Sequence, residues 1–137
     1  MYAYIYEENG KIIREISTST EEMLLANIET GDDYVISEEP FNVDDTYVLN
    51  GVLTPRPSFS LSLSKSTMTA DNADYIDLVG VPSGATVTLS RVGASTTVTA
   101  DGTTIQIKTP LPGKYTVTVE KFPYRNGVVN FVATANT

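Results

Sequence analysis

The chain has 137 residues, a formal net charge of −8, 41% hydrophobic and 19% charged residues, which suits one domain or two small ones and disfavours disorder. It contains neither cysteine nor histidine, so disulfides, thiol nucleophiles, Cys/His zinc sites and Ser-His-Asp relays are excluded. No apolar run approaches the roughly 20 residues that span a bilayer, and Met1-Tyr2-Ala3-Tyr4-Ile5-Tyr6-Glu7-Glu8 lacks the basic start and apolar stretch of a secretion signal; synthesis and folding in a cytosol are expected, with no membrane partner.

Tyr2, Tyr4 and Tyr6 alternate before Glu8-Asn9-Gly10-Lys11, and Ile12-Ile13-Arg14-Glu15-Ile16 resumes after it. Asn-Gly favours the type I′ turn that matches strand twist, so the chain opens on a predicted hairpin. Thr18-Ser19-Thr20-Glu21 fits a capping box, and Met23, Leu24 and Ile28, with Leu25 flanking, follow at helical spacing until Gly31 supplies a stop. A helix over about residues 20–29 is expected. A strand at Tyr34-Val35-Ile36 follows, then the polar loop Ser37 to Asp45. A second Asn-Gly hairpin is predicted in Thr46-Tyr47-Val48-Leu49-Asn50-Gly51-Val52-Leu53-Thr54. Residues 1–57 thus read as a small α+β module in the order ββαβββ.

Pro55-Arg56-Pro57 restricts the backbone at two nearby positions and reads as a stiff linker. Beyond it alternation is nearly continuous, in Phe59-Leu61-Leu63, 75–79, 87–89, 97–99, 105–107, 115–119 and 128–132. Turn signals at Pro82-Ser83-Gly84, Val92-Gly93, Asp101-Gly102, Pro112-Gly113 and Asn126-Gly127 separate these seven predicted strands, the spacing of a β-sandwich over residues 58–137. Charge divides at the same point. Residues 1–57 carry twelve Asp/Glu against three Lys/Arg, a net of −9, whereas residues 58–137 carry five against six, a net of +1. An acidic module repels phosphate backbones and the second half has no basic stripe, so no nucleic-acid partner is expected.

Pro112-Gly113-Lys114-Tyr115-Thr116-Val117-Thr118-Val119 resembles the penultimate strand of bacterial and phage immunoglobulin-like domains, and Leu78 to Leu89 resembles an earlier segment of them. The resemblance implies a C-terminal immunoglobulin-like sandwich with Tyr115 as its tyrosine-corner residue. Phe122-Pro123-Tyr124 with Val128 to Ala133, and the stretch Thr46 to Pro57, are similar to segments of small tailed-phage virion proteins, tail-fibre-associated ones included. Together these imply a mainly β, non-catalytic structural component of a phage virion, synthesised in the host cytoplasm. Tail, baseplate or fibre attachment is the leading place in the particle. Capsid decoration, or binding to a host-surface carbohydrate, are the alternatives.

The acidic pairs Asp32-Asp33, Glu38-Glu39 and Asp44-Asp45 are candidates for a carboxylate dyad or calcium ligands, but no tryptophan is available as a sugar platform and solvated loop charge is the favoured reading. Asp71-Asn72-Ala73-Asp74-Tyr75-Ile76-Asp77 lacks the glycine and terminal glutamate of an EF-hand loop and reads as a turn. Serine and threonine without a general base are strand-surface residues. No enzyme activity, metal or cofactor is therefore expected. The residues singled out for partner binding are Tyr2, Tyr4 and Tyr6 on one strand face, Asp44 and Asp45, and the loop pair Tyr124 and Arg125. For the tyrosine stripe the favoured alternative is a core face beneath the helix. The expected partners are other virion proteins and further copies of this chain, engaged through residues 1–57.

Overall fold

The structure is a computed structural model that describes residues 1–136. It is mainly β, with thirteen strands and one six-residue helix among the described residues, and it divides into two compact units, Met1–Pro57 and Ser58–Thr137. No helix among the described residues is long and apolar enough to cross a membrane.

In the first unit β1 (Tyr2–Tyr6) lies between β2 (Ile12–Ser17) and β3 (Asp33–Ser37), antiparallel to both. Ala3, Tyr4 and Ile5 are all buried, so both faces of this central strand are covered. The opening turn departs from the type I′ expectation. Gly10 N–H donates to Glu7 O at 2.8 Å and Glu7 N–H to Lys11 O at 2.9 Å, Gly10 alone of the turn has positive φ, 91°, and the β1–β2 register shifts between Ile5 and Tyr6. This is the three-residue hairpin with a left-handed glycine. The reason lies across the unit: Val48 N–H donates to Gly10 O at 2.9 Å, and a Cβ on Gly10 would sit 2.1 Å from Val48 O. Two backbones meet there with no room for a side chain.

Helix α1 spans Glu21–Ala26 and is shorter than expected. Its N-cap is Thr20, whose hydroxyl accepts from Met23 N–H at 3.2 Å, while Thr18 Oγ1 donates to Thr20 O instead of capping. Asn27 ends it, and Gly31, φ 95°, belongs to the turn before β3. Leu24 is the helix's only buried residue; Met23 is 51% exposed. The tyrosine stripe does not lie under this helix. Tyr4 Oη accepts from Phe41 N–H at 2.7 Å and its ring meets Phe41 edge-on at 6.1 Å, so the loop before β4 roofs that face. Arg14, paired with Ile5 and hence on the opposite face, donates to Asn27 O at 3.0 Å and places the helix end there.

β4 (Thr46–Leu49) and β5 (Val52–Pro55) form a separate antiparallel hairpin. Asn50 (φ 51°) and Gly51 (φ 78°) fill the two left-handed positions of a type I′ turn. Pro55 closes β5 opposite Thr46, and Arg56 N–H donates to Asp45 O at 2.8 Å. Pro55 and Arg56 therefore extend the hairpin and are not a free linker.

The second unit has eight strands, not seven: β6 (Ser62–Leu63), β7 (Thr67–Ala70), β8 (Ile76–Val79), β9 (Thr86–Arg91), β10 (Ala94–Thr99), β11 (Ile105–Ile107), β12 (Gly113–Glu120) and β13 (Gly127–Ala135). The expected strand from Phe59 contracts to two residues and β7 was not anticipated. One sheet runs β10-β9-β12-β13-β7, with β7 parallel to β13, and the other β11-β8-β6. Alternation carries Tyr115, Val117 and Val119 of β12 inward, where they join Met68, Ile76, Leu78, Ile107 and Phe131 in one core fed by both sheets. Tyr115 stacks on Phe131 at 4.9 Å, and its hydroxyl reaches Leu111 O and Thr109 Oγ1, each at 2.7 Å. Thr109 is one of two buried polar residues among the described residues, and its bond to the Tyr115 hydroxyl satisfies it.

Candidate functional site

Tyr2 and Tyr6 are half-buried at the ends of β1, and Tyr4 is fully buried between them. Tyr4 is therefore corrected from a partner contact to an internal strut: it accepts from Phe41, donates to Glu15 at 3.4 Å, and stacks on Tyr2 at 6.5 Å. Burial, opposed by the Phe41 N–H bond, raises its hydroxyl pKa above the ordinary phenol value.

Asp44 and Asp45 build the turn into β4. Asp44 N–H donates to Asn42 Oδ1 at 3.0 Å, Asp44 O accepts from the Arg56 guanidinium at 3.0 Å, and the Asp45 carboxylate accepts from Asn42 Nδ2 at 3.1 Å. Of the other pairs, Asp32 accepts from Glu29 N–H and lies 3.9 Å from Arg14, and Glu39 is tied through its backbone to Ser37 Oγ. No group of three or more acidic side chains among the described residues is arranged to hold a metal.

In the second unit Asp71 and Asp74 organise the β7–β8 turn. Asp71 accepts from the N–H groups of Ala73 and Asp74; Asp74 accepts from Thr69 and Tyr75 N–H groups and pairs with Lys65. The Asp74 N–H holds the Asp71 pKa below the ordinary carboxylate value, and the Lys65 ammonium does the same for Asp74. Tyr124 is half-buried, with its ring stacked on Phe59 at 4.6 Å and 10°, and Arg125 is exposed beside it.

Three surface features escaped the sequence reading. Leu49 and Val52, opposite each other across the Asn50-Gly51 turn, are 47% and 62% exposed and give the hairpin an apolar tip. Val92, in the β9–β10 turn, is 96% exposed. Strand β10 is exposed at all six residues and ends its sheet. The first was legible as apolar residues flanking Asn-Gly; the last depends on strand order, which local pattern does not carry. No family model, curated protein or solved structure matches the chain.

Proposed function

We propose that this chain is a non-catalytic structural component of a bacteriophage particle, in the tail, baseplate or fibre attachment, which docks through residues 1–57 and presents residues 58–137 as an immunoglobulin-like sandwich. The observation that carries docking is how few hydrophobic residues the first unit buries beside those it leaves exposed. The first unit buries Ala3, Tyr4, Ile5, Leu24 and Val48, yet leaves Ile13, Met23, Leu25, Leu49 and Val52 between 44% and 62% exposed. A unit of this size has little core to spare, and burial against a neighbouring subunit supplies what its own fold does not. Its net charge of −9 favours a basic partner surface, with charge giving steering and register and apolar contact giving most of the affinity.

The immunoglobulin-like reading is supported by the two sheets with β9, β10, β12 and β13 on one and β8 and β11 on the other, by β7 crossing to run parallel to β13, and by the Tyr115 hydroxyl bonded four residues upstream to Leu111 O, as in a tyrosine corner. The phage assignment rests on the sequence resemblances, since a fold does not assign a role. Particles lacking this protein provide the test, offered the full chain carrying either Leu49→Asp with Val52→Asp or, as control, Val92→Asp. The hairpin-tip variant should fail to incorporate while keeping its unfolding midpoint. Normal incorporation of that variant, or loss with Val92→Asp alone, overturns the docking assignment.

A further inference from the structure

We infer that β10 is a self-association edge: two copies of this chain pair antiparallel along Ala94–Thr99 about a twofold axis, joining their five-stranded sheets into one. This goes beyond the virion reading and does not depend on it. Among the described residues strand β10 pairs only with β9, with an uninterrupted register from Ala94↔Arg91 to Thr99↔Thr86. Just past it Ala100 N–H donates to Ala85 O at 2.8 Å, so even-numbered residues turn their backbone groups toward β9. The N–H and C=O groups of Ser95, Thr97 and Thr99 therefore point away from the sheet, a ready template for a further strand.

Among the described residues the other edges of the three- and five-stranded sheets each carry a guard. β6 and β11 have two and three residues; Thr69 N–H of β7 is occupied by the Asp74 carboxylate. In the first unit β2 holds Arg14 and Glu15 beside its bulge, and β3 is bracketed by Asp32-Asp33 and Glu38-Glu39, which repel a like strand. Ala94-Ser95-Thr96-Thr97-Val98-Thr99 has no charge, no proline and no bulge, and four of its six residues are β-branched.

Charge selects the occupant. Two adjoining hollows of about 190 and 160 Å³ run along this flank and share Leu89, Thr96 and Lys108; Arg91 and Lys108 line the one that reaches Ala94. At the other end of the strand stands the exposed Asp101. One end is cationic and the other anionic, so antiparallel pairing brings the cations of each copy to the aspartate of the other, whereas parallel pairing sets like against like. A second copy supplies a strand that is already extended, uncharged and of matching polarity. Because the contact is isologous, pairing closes at two and does not propagate.

The test is sedimentation of the full chain across a wide concentration range. The unaltered protein should show a reversible monomer–dimer equilibrium that weakens as salt rises. Thr97→Lys and Thr97→Pro, at a position whose N–H is not used by β9, should each abolish the dimer and leave circular dichroism unchanged. With no native cysteine to interfere, Thr96→Cys or Thr97→Cys, the two possible twofold centres, should oxidise to a covalent dimer, and Val128→Cys, exposed on an interior strand, should not. A monomer at every concentration, a dimer indifferent to both Thr97 substitutions, or open-ended growth each overturns the inference.

Discussion

The two units solve the same problem with different means. Among the described residues the second gathers fourteen buried hydrophobic residues from two sheets into one core, whereas the first has five and relies on hydrogen-bond pins: Gly10 to Val48, Phe41 to Tyr4, Arg14 to Asn27. A core-dominated unit tolerates loss of a single hydrogen bond and suffers from a cavity. A pin-dominated unit is vulnerable wherever a close backbone approach or a bridging hydroxyl is lost.

The sharpest break of this comparison pairs Phe131→Ala with Gly10→Ala. Phe131 is 2% exposed and stacked on Tyr115, so truncation should destabilise the second unit by about 3–5 kcal/mol. Gly10→Ala adds a Cβ that meets Val48 O at 2.1 Å on a backbone at φ 91°, and should unfold the first unit's hairpin contact with a loss of comparable size. Amide exchange resolved by residue should show each substitution raising exchange chiefly in its own unit. Equal loosening of both units in either variant would contradict the division.

A smaller effect is expected from Tyr4→Phe, which keeps the ring and removes the hydroxyl shared by Phe41 and Glu15. The cost should be about 1 kcal/mol, the worth of one such bond, concentrated in the loop over the tyrosine face. Phe41 amide exchange should accelerate while β12 amides do not change. An unchanged Phe41 amide would remove the strut role given to Tyr4.

How much of this was legible depends on whether the determinant was local. Alternation in Tyr115 to Val119 was enough to place β12, because a strand buried on one face writes period two into its own residues. Thr67–Ala70 was missed because its strand character comes from parallel pairing with β13, more than sixty residues away. The two Asn-Gly pairs show the same limit. Asn50-Gly51 adopts type I′ in an exposed tip, while Gly10 is committed to Val48 and its turn takes another form. For the surfaces, tyrosine spacing gave the shared face of Tyr2, Tyr4 and Tyr6 but not what covers it, and no local pattern marks β10 as an edge.

The smallest expected effect sharpens the comparison from the side of pH. In the core-rich unit the β7–β8 turn is held by two ionised carboxylates, Asp71 and Asp74. Both have folded pKa values depressed below the ordinary value, Asp71 by the Asp74 N–H and Asp74 by Lys65 and Thr69 N–H. A depressed carboxylate contributes its stabilisation in full above the unfolded pKa of about 3.9, and loses it as pH falls from there through the folded value. Since Asp71 is exposed and Asp74 is only half-buried, the effect should be modest, and the Lys65 part should shrink with salt while the backbone part persists. Asp74→Asn keeps one acceptor oxygen and removes the charge, so its unfolding midpoint should lie below that of the unaltered chain near neutral pH and converge with it in acid. Parallel midpoint curves over that acid range would mean that the Asp74 charge does not stabilise the turn.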